Sequence, residues 1–415
     1  MNCYGRLSLL ALASVASIAS ARPSAPAHLD SRGNNEACTN GKAIYITSNT
    51  AQNAVVALPI AQNGSLLVAN GASTATGGTG QSAVDSTGAD AGPDSLFSQS
   101  AIAIAGNYLF AVNPGSNSVT MLAIDAQDAT KLTVVGSSAT LPGEFPNTVA
   151  ASDKYKIVCV GLTGAKAGVA CAPYSSSGIG AVDALRPFNL GQTTPPAGPL
   201  NTVSQVFFSG DETTLYATVK GNPAVNNTGF LAAFPVQNTR SSCHAAASVA
   251  STGVTSSPSG TAVLFGSNTI KGSTNLFVTD ASFGGAVLSV DSAGKASTVG
   301  KGVIDGQAAT CWVAISPATN TAFVTDVGVD RLIEMSLTDA SIQGSPIDLS
   351  TFTGGDPGLT DLRAAGSFVY ALSPGNGTTD AAITVVNTLT KQPVQHVSVA
   401  SLGLTKSAQG MAILV

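Results

Sequence analysis

Along its 415 residues the chain sets short apolar or alternating runs between clusters of Gly, Asn, Pro and Ser, and no stretch keeps the apolar spacing of a helix. Aligned, the runs fall into seven copies. AIYITSNTAQNAVVALPIAQNGSL begins at Ala43, YLFAVNPGSNSVTMLAIDAQDATKL at Tyr108, KIVCVGLTGAKAGVACAPYSSSGIG at Lys156 and TLYATVKGNPAVNNTGFLAAFPVQN at Thr214. NLFVTDASFGGAVLSVDSAGKAS begins at Asn275, AFVTDVGVDRLIEMSLTDASIQGS at Ala322 and FVYALSPGNGTTDAAITVVNTLTKQPVQ at Phe368. Each copy reads as a strand, a turn rich in Gly, Asn or Asp, a second strand, and a polar turn into a third. Most copies follow a further short apolar stretch, such as AIAIAGN at Ala101 or QVFFSGD at Gln205. Four strands per unit, repeated roughly every 46 to 65 residues, predict an all-β seven-bladed β-propeller of four-stranded blades.

The ends fit the same reading. The first copy has no innermost strand of its own, whereas the chain finishes in QGMAILV, an innermost-strand pattern with no copy after it. Met411 to Val415 is therefore expected to complete the first blade and close the ring, removing an exposed sheet edge. FVTD occurs twice, ending at Asp280 and Asp326, where other copies carry Asn49, Asn113 or Lys220 after the corresponding strand. These acids read as equivalent turn residues one blade apart, each able to hydrogen-bond the local backbone. Two spacers between copies are long, one from Ala72 and one running through ALRPFNLGQTTPPAGPL from Ala184, and both are expected as loops on a face of the disc.

At the N-terminus, Arg6 precedes an apolar run from Leu7 to Ile18 and then Ala19-Ser20-Ala21. This predicts a secretory signal peptide at 1–21, a polar tail at 22–41 and a single propeller domain at 42–415. The apolar run is too short to span a bilayer, so the expectation is a secreted monomer, extracellular or in the cell wall, with no transmembrane segment. Charged residues make up 10% of the chain and the net charge is -5, with no basic run, which excludes nucleic acid as a partner. Cys38, Cys159, Cys171, Cys243 and Cys311 remain after the signal. Cys159 and Cys171 lie on consecutive strands and suggest a cross-strand disulfide, and a second bridge is suggested between Cys243 and Cys311. No metal site or cofactor is expected, because ligand-type spacing is missing. Asn63, Asn226 and Asn376 each open a glycosylation sequon.

In a propeller the starts of the innermost strands converge on a central channel. The ligand-binding candidates there are Gln99, Asn147, Asn201, Gln205, Gln307, Asp361 and Gln409, an inventory of amides and acid suited to a small polar molecule or carbohydrate. For acid-base chemistry the candidates are Glu144, Arg186 and Arg363: a carboxylate whose pKa partial burial would raise, and arginines that would fix an anionic substrate. Hydrolase and phosphate-loop motifs are absent.

The blade pattern, clearest in ISPATNTAFVTD, resembles the lactonase-type seven-bladed propellers, a group that includes 6-phosphogluconolactonase and 3-carboxy-cis,cis-muconate cyclase. CTNGKAIYITSN, GEFPNTVAAS, ALRPFNLGQTTPP, DGQAATCW and ALSPGNGTT resemble secreted fungal proteins labelled 3-carboxymuconate cyclase-like, over nearly the whole mature chain. The resemblance implies a cyclic ester or muconate substrate in the central funnel, with His, Arg and Glu holding carboxylates and moving protons. The family's Pro-His or Arg-His places read Pro146-Asn147 and Leu200-Asn201 here, and an amide cannot exchange a proton near neutral pH as imidazole can. The leading expectation is therefore an extracellular or cell-surface binding protein for a small polar ligand, a carbohydrate or a surface protein. A lactonase or carboxymuconate cycloisomerase is the alternative.

Overall fold

The computed structural model describes residues 40–415 apart from 242 and 243. The expected signal peptide, almost all of the tail, Cys38 and Cys243 lie outside the described residues. Seven antiparallel sheets run in order along the chain; in six of them four strands follow in sequence from the inside out, in the first the innermost strand comes from the end of the chain, and three sheets carry a fifth short strand. The innermost strands are Ile102–Ala105, Pro146–Ser152, Val203–Phe208, Leu264–Thr269, Thr310–Ser316, Leu362–Ala365 and Gln409–Leu414. They contact one another in that order, the last touching the first. This is a seven-bladed propeller.

The first blade closes with the two ends of the domain. Gln409–Leu414 pairs with Ala43–Thr47, Tyr45 facing Ala412 and Ile44 facing Ile413. The second strand of each blade is buried almost throughout and mainly apolar because both faces of its sheet are covered. Ile44 and Ile46 enter the seam with the seventh blade, while Ala43 and Tyr45, pointing the other way, enter the seam with the second. Leu109 and Ala111 then share that second seam, and Phe110 and Val112 fill the next. Each buried aliphatic or aromatic side chain contributes about 1.5–3 kcal/mol, so the core is spread radially through the seams.

Cys159 and Cys171 are cross-strand partners in the third blade and form a disulfide. Cys311 carries a buried free thiol, and Cys243, its suggested partner, lies outside the described residues. The two FVTD acids do the same work in neighbouring blades. Asp280 accepts from the backbone N–H of Ala262 at 2.7 Å and Val263 at 3.0 Å, and Asp326 from Ala308 at 2.8 Å and Ala309 at 3.1 Å. Each ties the end of its second strand to the entry of its own innermost strand. Among the described residues no helix is long and apolar enough to cross a membrane.

Deleting residues 409–415 exposes the inner edge of Ala43–Thr47 and opens the ring. The expected result is loss of cooperative thermal unfolding by circular dichroism. A truncated chain that melts like the parent would refute closure by this strand.

Candidate active site

The channel enclosed by the inner strands is filled by the chain itself. Asp94 to Ser100, which lead into Ile102–Ala105, run through it with Ser95, Leu96, Phe97, Ser98 and Gln99 buried. Their backbone carbonyls are taken up by groups from several blades. Asn147 Nδ2 donates to Leu96 O at 3.1 Å, Lys220 Nζ to Phe97 O at 2.6 Å, Trp312 Nε1 to Ser98 O at 3.1 Å and Thr148 Oγ1 to Gln99 O at 2.8 Å. Phe97 and Ser100 hold left-handed backbone, φ 54° and 67°, a conformation that bulky residues adopt only when their surroundings impose it.

This segment explains where the sequence-derived candidates fall. Innermost strands are bulged near the axis, with register shifts between Leu264 and Ser267 and between Thr310 and Val313. A bulge leaves backbone groups without a ladder partner, and a buried orphan is costly. Gln205 meets Ser267, accepting from its N–H at 2.6 Å and donating to its carbonyl at 3.1 Å. Gln99 does the same for Val313 at 3.1 and 3.2 Å. Asn147 also donates to Val203 O at 2.6 Å, and Gln409 donates to Asp94 Oδ1 at 3.2 Å. Asp361 accepts from Leu362 N–H and Met411 N–H at 2.7 and 2.8 Å. Five of the seven candidates therefore stand in the channel with most of their polar groups engaged by protein, while Asn147 Oδ1 and Gln409 Oε1 are buried without a hydrogen-bond partner. The other two lie elsewhere: Asn201 accepts from Asn227 Nδ2 at 2.8 Å, and Gln307 joins Ala281 O to Thr310 N–H.

The three acid-base candidates are not brought together. Glu144 accepts from Thr194 Oγ1 at 2.6 Å and has Lys166 at 3.8 Å. Arg186 does not reach into the channel: its short strand, Arg186–Pro187, pairs with the third strand of its blade. Its guanidinium is held by Asp183 at 2.7 and 3.1 Å and by the carbonyls of Val249 and Ala250. Arg363 is in the channel, bonded to Asp361 Oδ1 at 2.9 Å and Ser100 Oγ at 3.1 Å. It lines a polar cavity of about 310 Å³ with Gln99, Ser100, Gln205 and Asn268 at the end where the inner strands finish.

The opposite end, where the inner strands begin, holds a cavity of about 520 Å³ that sequence reasoning did not locate. Its wall is mainly apolar, with Phe97, Phe265, Val263, Leu200 and Val327, and carries the buried titratable side chains Asp94, Lys220 and Cys311. The two long spacers meet above it. Val84 N–H donates to Pro196 O at 2.9 Å and Gly198 N–H to Val84 O at 2.8 Å, so a short parallel bridge ties one loop to the other. Asp85 and Ser86 from the first loop and Gly198 to Leu200 from the second border the cavity.

Lys220 is buried, and both of its hydrogen-bond acceptors are neutral: Phe97 O at 2.6 Å and Ser204 Oγ at 3.0 Å. Its Nζ also lies 4.3 Å from the centroid of the Phe265 ring. Burial depresses its pKa to about 8, with Asp94 acting in the opposite sense. Burial pushes Asp94 up to about 7, against the pull of Lys220 and of the N–H groups it accepts from, Phe97 at 2.8 Å among them. Burial likewise raises the Cys311 thiol well above its usual range. A carboxyl and an amine that both titrate near neutrality on one cavity wall can exchange protons with a bound molecule. Lys220 also departs from the repeat. Val219 pairs with Val203 as Asp280 pairs with Leu264 and Asp326 with Thr310, so Lys220 sits one residue past the turn position expected for it.

No protein-family model and no curated protein matches the sequence. Solved structures do share the fold. The periplasmic gluconolactonase PpgL of Pseudomonas aeruginosa superposes with a TM-score of 0.60 at 12% identity, over 90% of this chain and 99% of that one. A candidate 6-phosphogluconolactonase of Bacteroides uniformis gives 0.56 at 13%, over 91% and 100%. A second, from Bacteroides fragilis, gives 0.52 at 10%, over 92% and 99%. The chain thus has the architecture of the lactonase-type seven-bladed propellers.

Asp94 should tax the fold as it ionises. Its folded pKa is raised from 3.8 to about 7, so stability is fully present below pH 3.8 and falls as pH rises through 7. Asp94→Asn removes this dependence: the variant should match the parent at pH 4 and exceed it at pH 8, by a few kcal/mol at about 1.4 kcal/mol per pKa unit. Melting curves at the two pH values check this, and a constant difference would place the carboxylate in contact with water.

Proposed function

We propose that the protein binds a small molecule with a compact apolar body and one carbonyl or carboxyl oxygen, held in the 520 Å³ cavity with that oxygen toward Lys220. The observation that carries this reading is a buried ammonium with only neutral hydrogen-bond acceptors on the wall of an apolar cavity. Burial of a charge without a contacting counter-charge is costly, and a ligand oxygen would offset it. Gln99 and Gln205, which favoured a carbohydrate, are engaged at both ends by backbone, and among the amides of the channel candidates only Asn147 Oδ1 and Gln409 Oε1 are buried without a partner, which moves the reading from a polyol toward an amphiphile. The site is proposed to work outside the cell. The signal-like N-terminus, the Cys159–Cys171 disulfide and the exposed sequons at Asn63, Asn226 and Asn376 support that placement.

A second reading, lactone hydrolysis, is favoured by Asp94 beside Lys220 in a fold shared with lactonases. Asp94 would take a proton from water as its oxygen attacks the lactone carbonyl carbon, and Lys220 would stabilise the oxyanion. The ring C–O bond then breaks, and the leaving oxygen recovers the proton from Asp94, giving a hydroxy acid.

Thermal shift with octanoate, δ-octalactone and glucose tests both readings. The first two are expected to raise Tm, a gain of about 2.7 kcal/mol at a hundred times Kd, and the effect should vanish in Lys220→Met. Glucose should have none, and stabilisation by glucose alone would overturn the proposal. Turnover of δ-octalactone followed by pH-stat and lost in Asp94→Asn would select the hydrolase, while binding without turnover would select the binding protein.

A further inference from the structure

We infer that Lys220 is a covalent carbonyl-capturing residue, its Nζ condensing with an aldehyde or ketone seated in the cavity to form an imine. This rests on the binding reading above and goes beyond it, because it gives the amine a chemical step. Among the described residues Lys220 is the one lysine that is buried, and it faces a cavity large enough for a small organic molecule. No carboxylate contacts its Nζ, so the amine is not locked as an ion pair. Desolvation in an apolar pocket increases the neutral, nucleophilic fraction of a lysine at physiological pH. Asp94, on the same wall, is poised near neutrality to hand a proton to the departing oxygen.

The step balances without any redox partner. The Nζ lone pair forms a bond to the carbonyl carbon while the carbonyl oxygen takes a proton from the Asp94 carboxyl group. The resulting carbinolamine loses that oxygen as water, with a proton from nitrogen returned through Asp94, and the C=N bond forms. Amine plus carbonyl gives imine plus water. The Phe265 ring, 4.3 Å from Nζ, stabilises the protonated imine through its face. Cys311 is the competing nucleophile in the cavity, but its raised pKa keeps it as the unreactive thiol.

The test is reductive trapping of the full-length protein with hexanal and sodium cyanoborohydride, read by intact mass and peptide mapping. One hexyl group is expected on Lys220, at least about tenfold faster than on any surface lysine, given the larger neutral fraction of the depressed amine. Labelling should persist in Cys311→Ala, slow in Asp94→Asn and be lost from this peptide in Lys220→Arg, which keeps the charge. Labelling spread over surface lysines with Lys220 unmodified would overturn the inference. If octanoate still raises Tm in that case, only the imine step falls. If it does not, the binding reading falls with it.

Discussion

The structure depends on one segment running down its own axis. Seven sheets buried on both faces must close into a ring, and closure brings seven inner strands together around a space too narrow for bulk solvent and too polar in its backbone to be left empty. Asp94 to Ser100 fill that space. Their carbonyls receive Asn147, Lys220, Trp312 and Thr148, while Gln99 caps the bulge at Val313. Together these contacts join three blades, through Asn147 and Thr148, Lys220, and Trp312 and Val313, to the same few residues. The axial segment therefore holds the ring in register and also divides the channel into two cavities of different chemistry.

Lys220 belongs to both roles. Its bond to Phe97 O helps fix a residue whose left-handed backbone would otherwise be unfavourable, and its amine looks onto the cavity that Phe97 borders. A buried amine, a buried acid and a strained aromatic residue all break rules that the seven seams obey. Departures concentrated in one place are what a functional site looks like in an otherwise consistent fold. The seams of the first blade, with Ile44 and Ile46 on one side of a strand and Ala43 and Tyr45 on the other, are built from ordinary apolar packing.

The fold was legible because each blade repeats the same period and turn chemistry. Asp280 and Asp326 clamp their own blades as equivalent turns, and QGMAILV closes the first blade because an inner strand was missing there. The site was legible only in part, for a physical reason. Gln99, Asn147 and Gln205 stand in the channel because they lie at or just before the starts of inner strands. What their side chains meet depends on the bulges and on the axial segment, neither of which has a periodic signal. Arg186 reads as a loop cation but sits beside Asp183, three residues away, on the outer part of its blade. Asp94 lies in a spacer that matches no repeat, so alignment of the copies passes over it. Lys220 reads in the sequence as one more turn residue, whereas it lies one position further on, and its burial follows from the axial carbonyl it reaches.

The two ends of the channel are also electrically linked through its core. Gln409 donates to Asp94 and lies beside Asp361 through Met411, whose N–H Asp361 accepts, and Asp361 in turn holds Arg363 at the far cavity. Asp361 is pushed up to about 6 by burial despite Arg363, and its charge in turn raises Asp94. Proton uptake at the Arg363 end thus favours the ionised form of Asp94 at the Lys220 end. The coupling has this sign because both acids lie in a medium that screens poorly, where the like charges disfavour each other. Arg363, placed in the channel as a catalytic candidate, acts in this arrangement by setting the charge of Asp361, and through it the protonation of the acid that shares a cavity with Lys220.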